Sequence, residues 1–374
     1  MIDNKFLKSK KISVIGIGRL GLCLSLNLED KGYNVLGVDV NENYVDSINK
    51  KTLLSSEPYV EKMLKKSKNF IATTKLEEAL SYSNIIFVVL PTPSLPDGKY
   101  NHSCIEDLIE RMQLIGPFED QKHLIICSTT MPGYCKSVYD RLENINCKVS
   151  YNPEFIAQGS IIKNQKYPDM VLIGCEDEKL ADSLSDIYKQ ICENDPKIHI
   201  MDIVSAEITK LALNCFITTK IAYANMVGDV CKKIGADEKK VLECIGEDSR
   251  VGKKYLNYGF GYGGQCFPRD NRAFYLTAKE NGIEAIISQS TDISNKLHLE
   301  YQVENFIKEN KNLKEVTLGP ISYKPNTTII EESQQLAFAV KLSEHFNVTV
   351  KDSELNINQV KNIYGNKFKY IISS

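Results

Sequence analysis

Short apolar runs alternate with helical patterns through the first half of the chain. Residues 11–18, KISVIGIG, read as a buried strand entering a glycine turn. Residues 19–32, RLGLCLSLNLEDKG, repeat apolar positions at helical spacing and stop at Gly32. NVLGVDV (34–40), NIIFVVL (84–90), HLIICST (123–129) and PDMVLIG (168–174) are further apolar runs bounded by polar turns. Continuously apolar strands separated by helices predict a parallel sheet covered on both faces.

The pattern changes near residue 203. Residues 205–235, SAEITKLALNCFITTKIAYANMVGDVCKKIG, hold no proline and no glycine before Gly228, so they predict one long helix with Ser205 as its N-cap. ADEKKVLECIG is a second, short helix, and 283–310 a further long one. After Lys314 the reading is strand (EVTLG), helix (EESQQLAFAVKLSEHF), strand (NVTVKD) and strand (KFKYIIS). The expected fold class is therefore α/β with three domains: residues 1–203 as an α/β unit, 204–298 as a helical middle domain around a long central helix, and 299–374 as a small α/β unit.

Composition narrows the function. The chain has 374 residues, 43% hydrophobic and 25% charged, which suits two or three ordinary cores. A net charge of −2 predicts neither a nucleic-acid surface nor a polybasic membrane anchor. The 11 cysteines are scattered without a CxxC pair, and the five histidines form no HxxxH pattern, so no metal site is expected. Scattered thiols in a long chain read as reduced core residues of a cytoplasmic protein. The segment MIDNKFLKSKK has no apolar signal core, and no apolar run approaches the ~20 residues of a membrane helix.

Candidate chemistry begins with GIGRLG, which sets Gly16, Gly18 and Gly21 in GxGxxG spacing. A strand precedes it, a helix follows, and the next strand ends in Asp39. Gly16 serves the tight turn, Gly18 the close approach of a pyrophosphate, and Gly21 the packing of the helix. The helix N-terminus offers free N–H groups to phosphates. Asp39 suits a ribose diol and repels a 2′-phosphate, so NAD is the expected cofactor of a Rossmann-like amino-terminal domain. Thr92, Thr129 and Glu154 sit in loops after apolar strands, where parallel sheets form their sites.

Two further features stay open on residues alone. Lys210 and Asn214 are four apart on the long helix, beside Ile208, Leu211, Ala212, Cys215 and Phe216. They could be oxyanion donors, though spacing by itself favours an ordinary solvated face. In GYGGQCFPRD (261–270), Cys266 precedes a proline suited to a first helical turn, with Asp270 one turn on. It reads equally as a nucleophile activated at a helix N-terminus or as a small packing residue.

The motifs GIGRLG, PTPSLPDG, STTMPG, NPEF, AEITKLALNCFITTKIAYANMV, GADEKKVLECIGEDSRVG and GFGYGGQCFPRD occur in an order that resembles the UDP-glucose/GDP-mannose dehydrogenase family, closest to its UDP-glucose 6-dehydrogenases. The match runs from about residue 11 to 290 and continues more weakly beyond. The resemblance implies Cys266 as nucleophile, and Lys210 and Asn214 as oxyanion donors that also hold substrate. It implies Asp270 and Glu154 for proton transfers, with Thr129 orienting water or sugar. Gly16, Gly18, Arg19, Leu20, Gly21, Asp39, Thr92, Thr129 and Arg269 would bind NAD. Glu154, Phe155, Ile156, Lys210, Asn214, Tyr255, Gly263 and Lys324 would contact the nucleotide sugar. Arg250 would reach the active site of the partner in a homodimer formed across the long helix.

The implied reaction is a four-electron oxidation of a sugar C6 hydroxyl to a carboxylate through a cysteine thiohemiacetal and thioester, with UDP-glucose the favoured substrate. The same chemistry on GDP-mannose or a UDP-N-acetylhexosamine is the leading alternative; a catalytically impaired sugar-binding subunit and a simple two-electron hydroxyacid dehydrogenase are the others. The altered TIIEES segment and the short last domain motivate the impaired-subunit reading, and they stand among several departures from the family pattern. Ala157 and Gln158 follow NPEF where a polar pair is usual, and Thr328, Ile329 and Glu331 replace an acidic-then-arginine pattern after KPNT. Arg269 replaces a lysine, Tyr44 stands where a basic residue often follows the ribose acid, and residues 315–374 make a short last domain.

Overall fold

The computed structural model describes residues 10–156, 159–324 and 327–373. They form two compact units, one up to Lys210 and one from Leu211 onward. Ala157 and Gln158 lie outside the described residues.

The first unit is built on a sheet of eight strands among the described residues. These are β1 (Lys11–Ile15), β2 (Asn34–Val38), β3 (Phe70–Thr73), β4 (Ile85–Val88), β5 (Lys122–Ile126), β6 (Cys147–Tyr151), β7 (Met170–Cys175) and β8 (Lys197–Met201), in the spatial order β3-β2-β1-β4-β5-β6-β7-β8. The central strands are buried on both faces, and alternate residues feed two separate cores. Ile12, Val14, Phe87 and Ile125 join one cluster, and Ile15, Ile86, Val88, Leu124 and Ile126 the other. The helix Arg19–Asp30 lays Leu22, Leu24, Leu26 and Leu28 into the first cluster. It ends where Gly32, at φ +87, returns its N–H to the Glu29 carbonyl at 2.8 Å.

One expectation fails in this sheet. β6 pairs antiparallel with β7, placing Ser150 opposite Cys175 and Tyr151 opposite Gly174. A run buried on both faces reads the same in either direction, so apolar patterning carries no strand polarity. The helix start also differs. The long helix spans Ile203–Ile234, and Asp202 caps it by accepting from the Ser205 N–H at 2.8 Å. Ser205 is inside the first turn rather than at its cap.

In the second unit the long helix continues and is joined by the helices Glu238–Glu247, Phe267–Glu280 and Ile286–Glu309. At Gly228 the helix has no room for a side chain, since a Cβ there would lie 2.0 Å from the Tyr258 ring. The chain then builds a parallel three-stranded sheet, ordered β11-β10-β9, from β9 (Glu315–Leu318), β10 (Asn347–Asp352) and β11 (Lys369–Ile372). Its core holds Leu299, Val303, Leu336, Phe338, Val348, Val350 and Ile357. The helix expected over 331–346 is confined to Gln334–Leu342, because Ser333 caps it by accepting from the Leu336 N–H. A helix not expected from the sequence, Glu354–Tyr364, crosses between β10 and β11; parallel neighbours require such a crossover. Among the described residues no helix is long and apolar enough to cross a membrane, and no three His, Cys, Asp or Glu side chains group as metal ligands.

Candidate active site

The glycine turn lies where the strand order reverses, between β1 and β4. Gly16 has φ +88, and a Cβ on it would lie 2.5 Å from the Val89 carbonyl oxygen. A Cβ on Gly21 would lie 2.0 Å from the Gly16 oxygen, so the helix sits directly on the turn. Gly18 is different. It precedes the helix without any side-chain cap, and a Cβ there would meet nothing within 4 Å. The first turn of Arg19–Asp30 therefore presents uncapped N–H groups to open space, the arrangement a pyrophosphate needs.

Arg19 is exposed on that first turn, and Leu20 packs against the core beneath it. Asp39 follows β2, half-buried, with Oδ1 accepting from the Asn41 N–H at 3.1 Å. Burial, then the charge of Asp39, pushes the Tyr44 phenol up to about 12, so Tyr44 stays neutral beside Asp39. The residues present fit a dinucleotide.

The loops after β4 and β5 are tied together. Thr92 Oγ1 donates to the Thr129 carbonyl at 2.8 Å, and Ser128 Oγ to the Leu90 carbonyl at 2.6 Å. After β6, Glu154 remains partly exposed while its carboxyl group is enclosed. Desolvation raises that carboxyl to about 7, against the opposing pull of a Gln165 hydrogen bond and the Lys210 charge. Phe155 and Ile156 pack half-buried on either core. Lys210 donates to the Glu154 carbonyl at 2.9 Å, and its ammonium stands 4.8 Å from the centre of the Phe155 ring. Lys210 and Asn214 are each only 7% exposed, so the solvated-face reading of this pair fails.

Glu207 is the strongest feature that pattern reading passed over. Wholly buried, it accepts from Thr130 Oγ1 at 3.0 Å and from the N–H groups of Gly133 and Cys135, both at 2.7 Å. It thus caps the helix Tyr134–Leu142 and fastens the STTMPG loop. Burial raises its carboxyl, and the hydrogen bonds oppose that rise. An acid at the start of an apolar helix was the available signal.

In the second unit, Cys266 is exposed and occupies the N-cap position of Phe267–Glu280, with Pro268 in the first turn. The other cysteines are mostly packing residues, eight of the 11 being buried. Asp270 returns its N–H to the Cys266 carbonyl at 2.8 Å, and its buried carboxylate accepts from Asn214 Nδ2 at 2.6 Å. Arg269 Nε stands 3.6 Å from the other Asp270 oxygen.

The turn ahead of the cysteine needs its glycines. Gly264 has φ +79 under the Tyr323 ring, and a Cβ on Gly263 would lie 2.2 Å from the Glu332 carbonyl oxygen. Tyr255 adopts a left-handed backbone at φ +62 and meets Phe267 edge-on at 6.2 Å. Arg250 points into solvent, paired with Asp248 at 2.7 Å, on a loop that Lys220 holds through the Val251 and Gly252 carbonyls. Lys324 lies over the Tyr323 ring at 5.6 Å. In the divergent TIIEES segment Glu331 is exposed, and Glu332 pairs with Arg272 at 2.7 Å.

Comparison with known proteins assigns two stretches of the chain to one family. Residues 10–192 match the NAD-binding domain, and residues 204–297 the central domain, of the UDP-glucose/GDP-mannose dehydrogenase family. A UDP-glucose 6-dehydrogenase from Rickettsia bellii is 30% identical over 86% of this chain and 76% of its own length. The structure of a UDP-glucose dehydrogenase from Pyrobaculum islandicum superposes with a TM-score of 0.87 at 28% identity, covering 97% of this chain and 86% of the other. That of a UDP-D-ManNAc dehydrogenase from Pyrococcus horikoshii gives 0.79 at 25% identity, covering 91% and 83%. The chain belongs to the UDP-glucose/GDP-mannose dehydrogenase family, the NAD-dependent nucleotide-sugar dehydrogenases.

Proposed function

We propose that the protein oxidises the C6 hydroxyl of a nucleotide sugar to a carboxylate, with UDP-glucose as substrate and UDP-glucuronate as product. The observation that carries this reading is Cys266: an exposed thiol at a helix N-cap, one turn from a buried Asp270 held by Asn214. A two-electron dehydrogenase has no use for such a thiol.

NAD, held at the GIGRLG turn, would supply the hydride acceptor, one NAD+ for each of two successive oxidations. In the first, the C6 alcohol loses a hydride and a proton and becomes an aldehyde. The Cys266 thiolate adds to the aldehyde carbon, and the carbonyl oxygen takes up a proton, giving a thiohemiacetal. Loss of the second hydride and a proton leaves a thioester. Water then adds, the C–S bond breaks, and the carboxylate and free thiol are released. Lys210 and Asn214 stabilise the negative oxygen of these steps. Asp270 and Glu154 move the protons, and a carboxyl raised to about 7 is suited to that work at neutral pH. Thr129 orients the water or sugar. Phe155, Ile156, Tyr255, Gly263 and Lys324 contact the nucleotide sugar.

UDP-glucose is favoured by the NPEF and CFPRD motifs and by relatives named for that activity. The UDP-D-ManNAc dehydrogenase relative supports an N-acetylated UDP-hexose as the second reading. We further propose a homodimer in which Arg250 reaches the partner's site. Support comes from its outward guanidinium and from exposed apolar side chains on the long helix, among them Phe216, Tyr223, Met226, Val230 and Ile234.

The test is NADH yield across UDP-glucose, GDP-mannose and UDP-N-acetyl sugars. Two NADH per UDP-glucose, abolished in Cys266→Ser with sugar binding retained, is the expected result. A yield far from two with every sugar, or turnover that survives loss of the thiol, overturns it.

A further inference from the structure

The carboxyl group of Glu154 accepts from a buried amide, itself held by a second one, that the reaction scheme above does not use. Gln165, on the helix Ile161–Lys166 and 4% exposed, donates from Nε2 to Glu154 Oε1 at 3.2 Å. Its Oε1 accepts from Asn27 Nδ2 at 2.8 Å, and the same Nδ2 stands 3.4 Å from the Ile162 carbonyl oxygen. Asn27 is wholly buried on the helix Arg19–Asp30.

The polarity of this chain is dictated from one end. A backbone carbonyl only accepts, so Asn27 turns its NH2 toward Ile162. That NH2 is matched only by the oxygen of Gln165. The NH2 of Gln165 is then left for the carboxyl group. Asn27 Oδ1 has no hydrogen-bond partner among the described residues. A buried polar atom left unmatched is a cost, tolerated here while the donor side reaches Gln165.

We propose that Gln165 is a positioning residue for Glu154: aimed by Asn27, its amide fixes the carboxyl group as a proton acceptor for thioester hydrolysis. The proposal rests on Glu154 being the acid/base of the reaction above. Pattern reading had no reason to single out Gln165, because its significance is a contact between residues 11 apart on different elements.

The other groups facing Glu154 come from several elements. Lys210 is positive and favours the carboxylate. The Cys23 and Cys192 thiols are pushed by burial to about 12 and about 11, and burial also raises the Cys127 thiol and the Tyr188 phenol. All four stay neutral through the pH range in which Glu154 titrates. Removing the Gln165 donor therefore shifts the titration of one group, and upward.

The experiment compares wild type, Gln165→Met and Gln165→Glu by pH profiles of NADH release from UDP-glucose, and by melting temperature. Gln165→Met keeps the volume and loses the donor. It is expected to move the acid limb of kcat up by about one pH unit, lowering kcat about fivefold at pH 7 with recovery above pH 9 and KM unchanged, while melting falls at every pH because the buried Asn27 NH2 loses its acceptor. Gln165→Glu sets a like charge beside Glu154 and moves the limb further. An unmoved limb, or a loss of kcat equal at every pH, overturns the proposal. The Glu154 carboxyl titration, followed by 13C NMR in wild type and Gln165→Met, needs no turnover. A shift there in a protein that oxidises no nucleotide sugar keeps the positioning role and removes the proposed function; an active wild type with no shift does the reverse.

Discussion

At the residue scale, burial sets what a carboxylate does. Glu154 and Glu207 are both enclosed, yet their partners differ. Glu207 accepts from two backbone N–H groups and a hydroxyl, whereas Glu154 has one amide donor and a lysine whose proton points to its backbone carbonyl. Glu207 is thus spent on structure, and Glu154 is under-satisfied. The consequence is a stability cost that depends on pH. The folded-state value of Glu154, about 7, lies above its ordinary 4.5. Its contribution is therefore fully present below about pH 4.5 and is lost as pH rises through 7, by about 3 kcal/mol at most. Glu154→Gln carries no charge to bury. It is expected to melt above wild type at pH 8 and to lose that advantage by pH 4.5, while losing turnover. A variant that melts below wild type at pH 8 contradicts this account.

At the element scale, the three glycines of GIGRLG separate into two kinds. Gly18 faces open space, and Gly21 faces a backbone oxygen. Gly18→Ala is expected to melt within about 0.5 kcal/mol of wild type yet bind NADH at least tenfold more weakly, because its methyl group intrudes where a pyrophosphate approaches. Gly21→Ala forces the helix off the turn and is expected to cost about 1–3 kcal/mol in unfolding experiments. Equal effects of the two on melting would mean that the turn is not packed as described. The GxGxxG spacing showed which residues matter here, since the turn, helix and strand are local in sequence. The cap of the long helix was misread for a related reason. Ser205 and Asp202 both qualify by type, and only the backbone path decides which one precedes the first turn.

At the scale of the whole molecule, the proposed dimer makes a separate demand. Phe216, Tyr223, Met226, Val230 and Ile234 recur at spacings of three, four and seven residues along one exposed helix stripe, with Phe216 67% and Ile234 74% exposed. Replacing Met226 and Val230 together by Asp adds charge to surface positions, so little cost to folding of the chain is expected. Sedimentation velocity at micromolar concentration should then show a monomer where the wild type is a dimer. A wild type that sediments as a monomer contradicts the proposed dimer and leaves Arg250 with no partner to reach.

The amino-acid sequence by itself determined most of the strands, though not β3 or β8, together with the glycine turn, the acid after β2 and the cysteine before a helix. Each is specified within about a dozen neighbouring residues, by apolar period, turn chemistry or capping. Tertiary structure alone decided the rest. The antiparallel entry of β7 depends on which neighbour a symmetric apolar run meets. The crossover helix Glu354–Tyr364 follows from β10 and β11 being parallel. Glu207, Asn27 and Gln165 acquire their roles from partners that lie 11 to 138 positions away in the chain. A buried polar side chain is defined by what satisfies it, and no local pattern records a partner brought close only by folding.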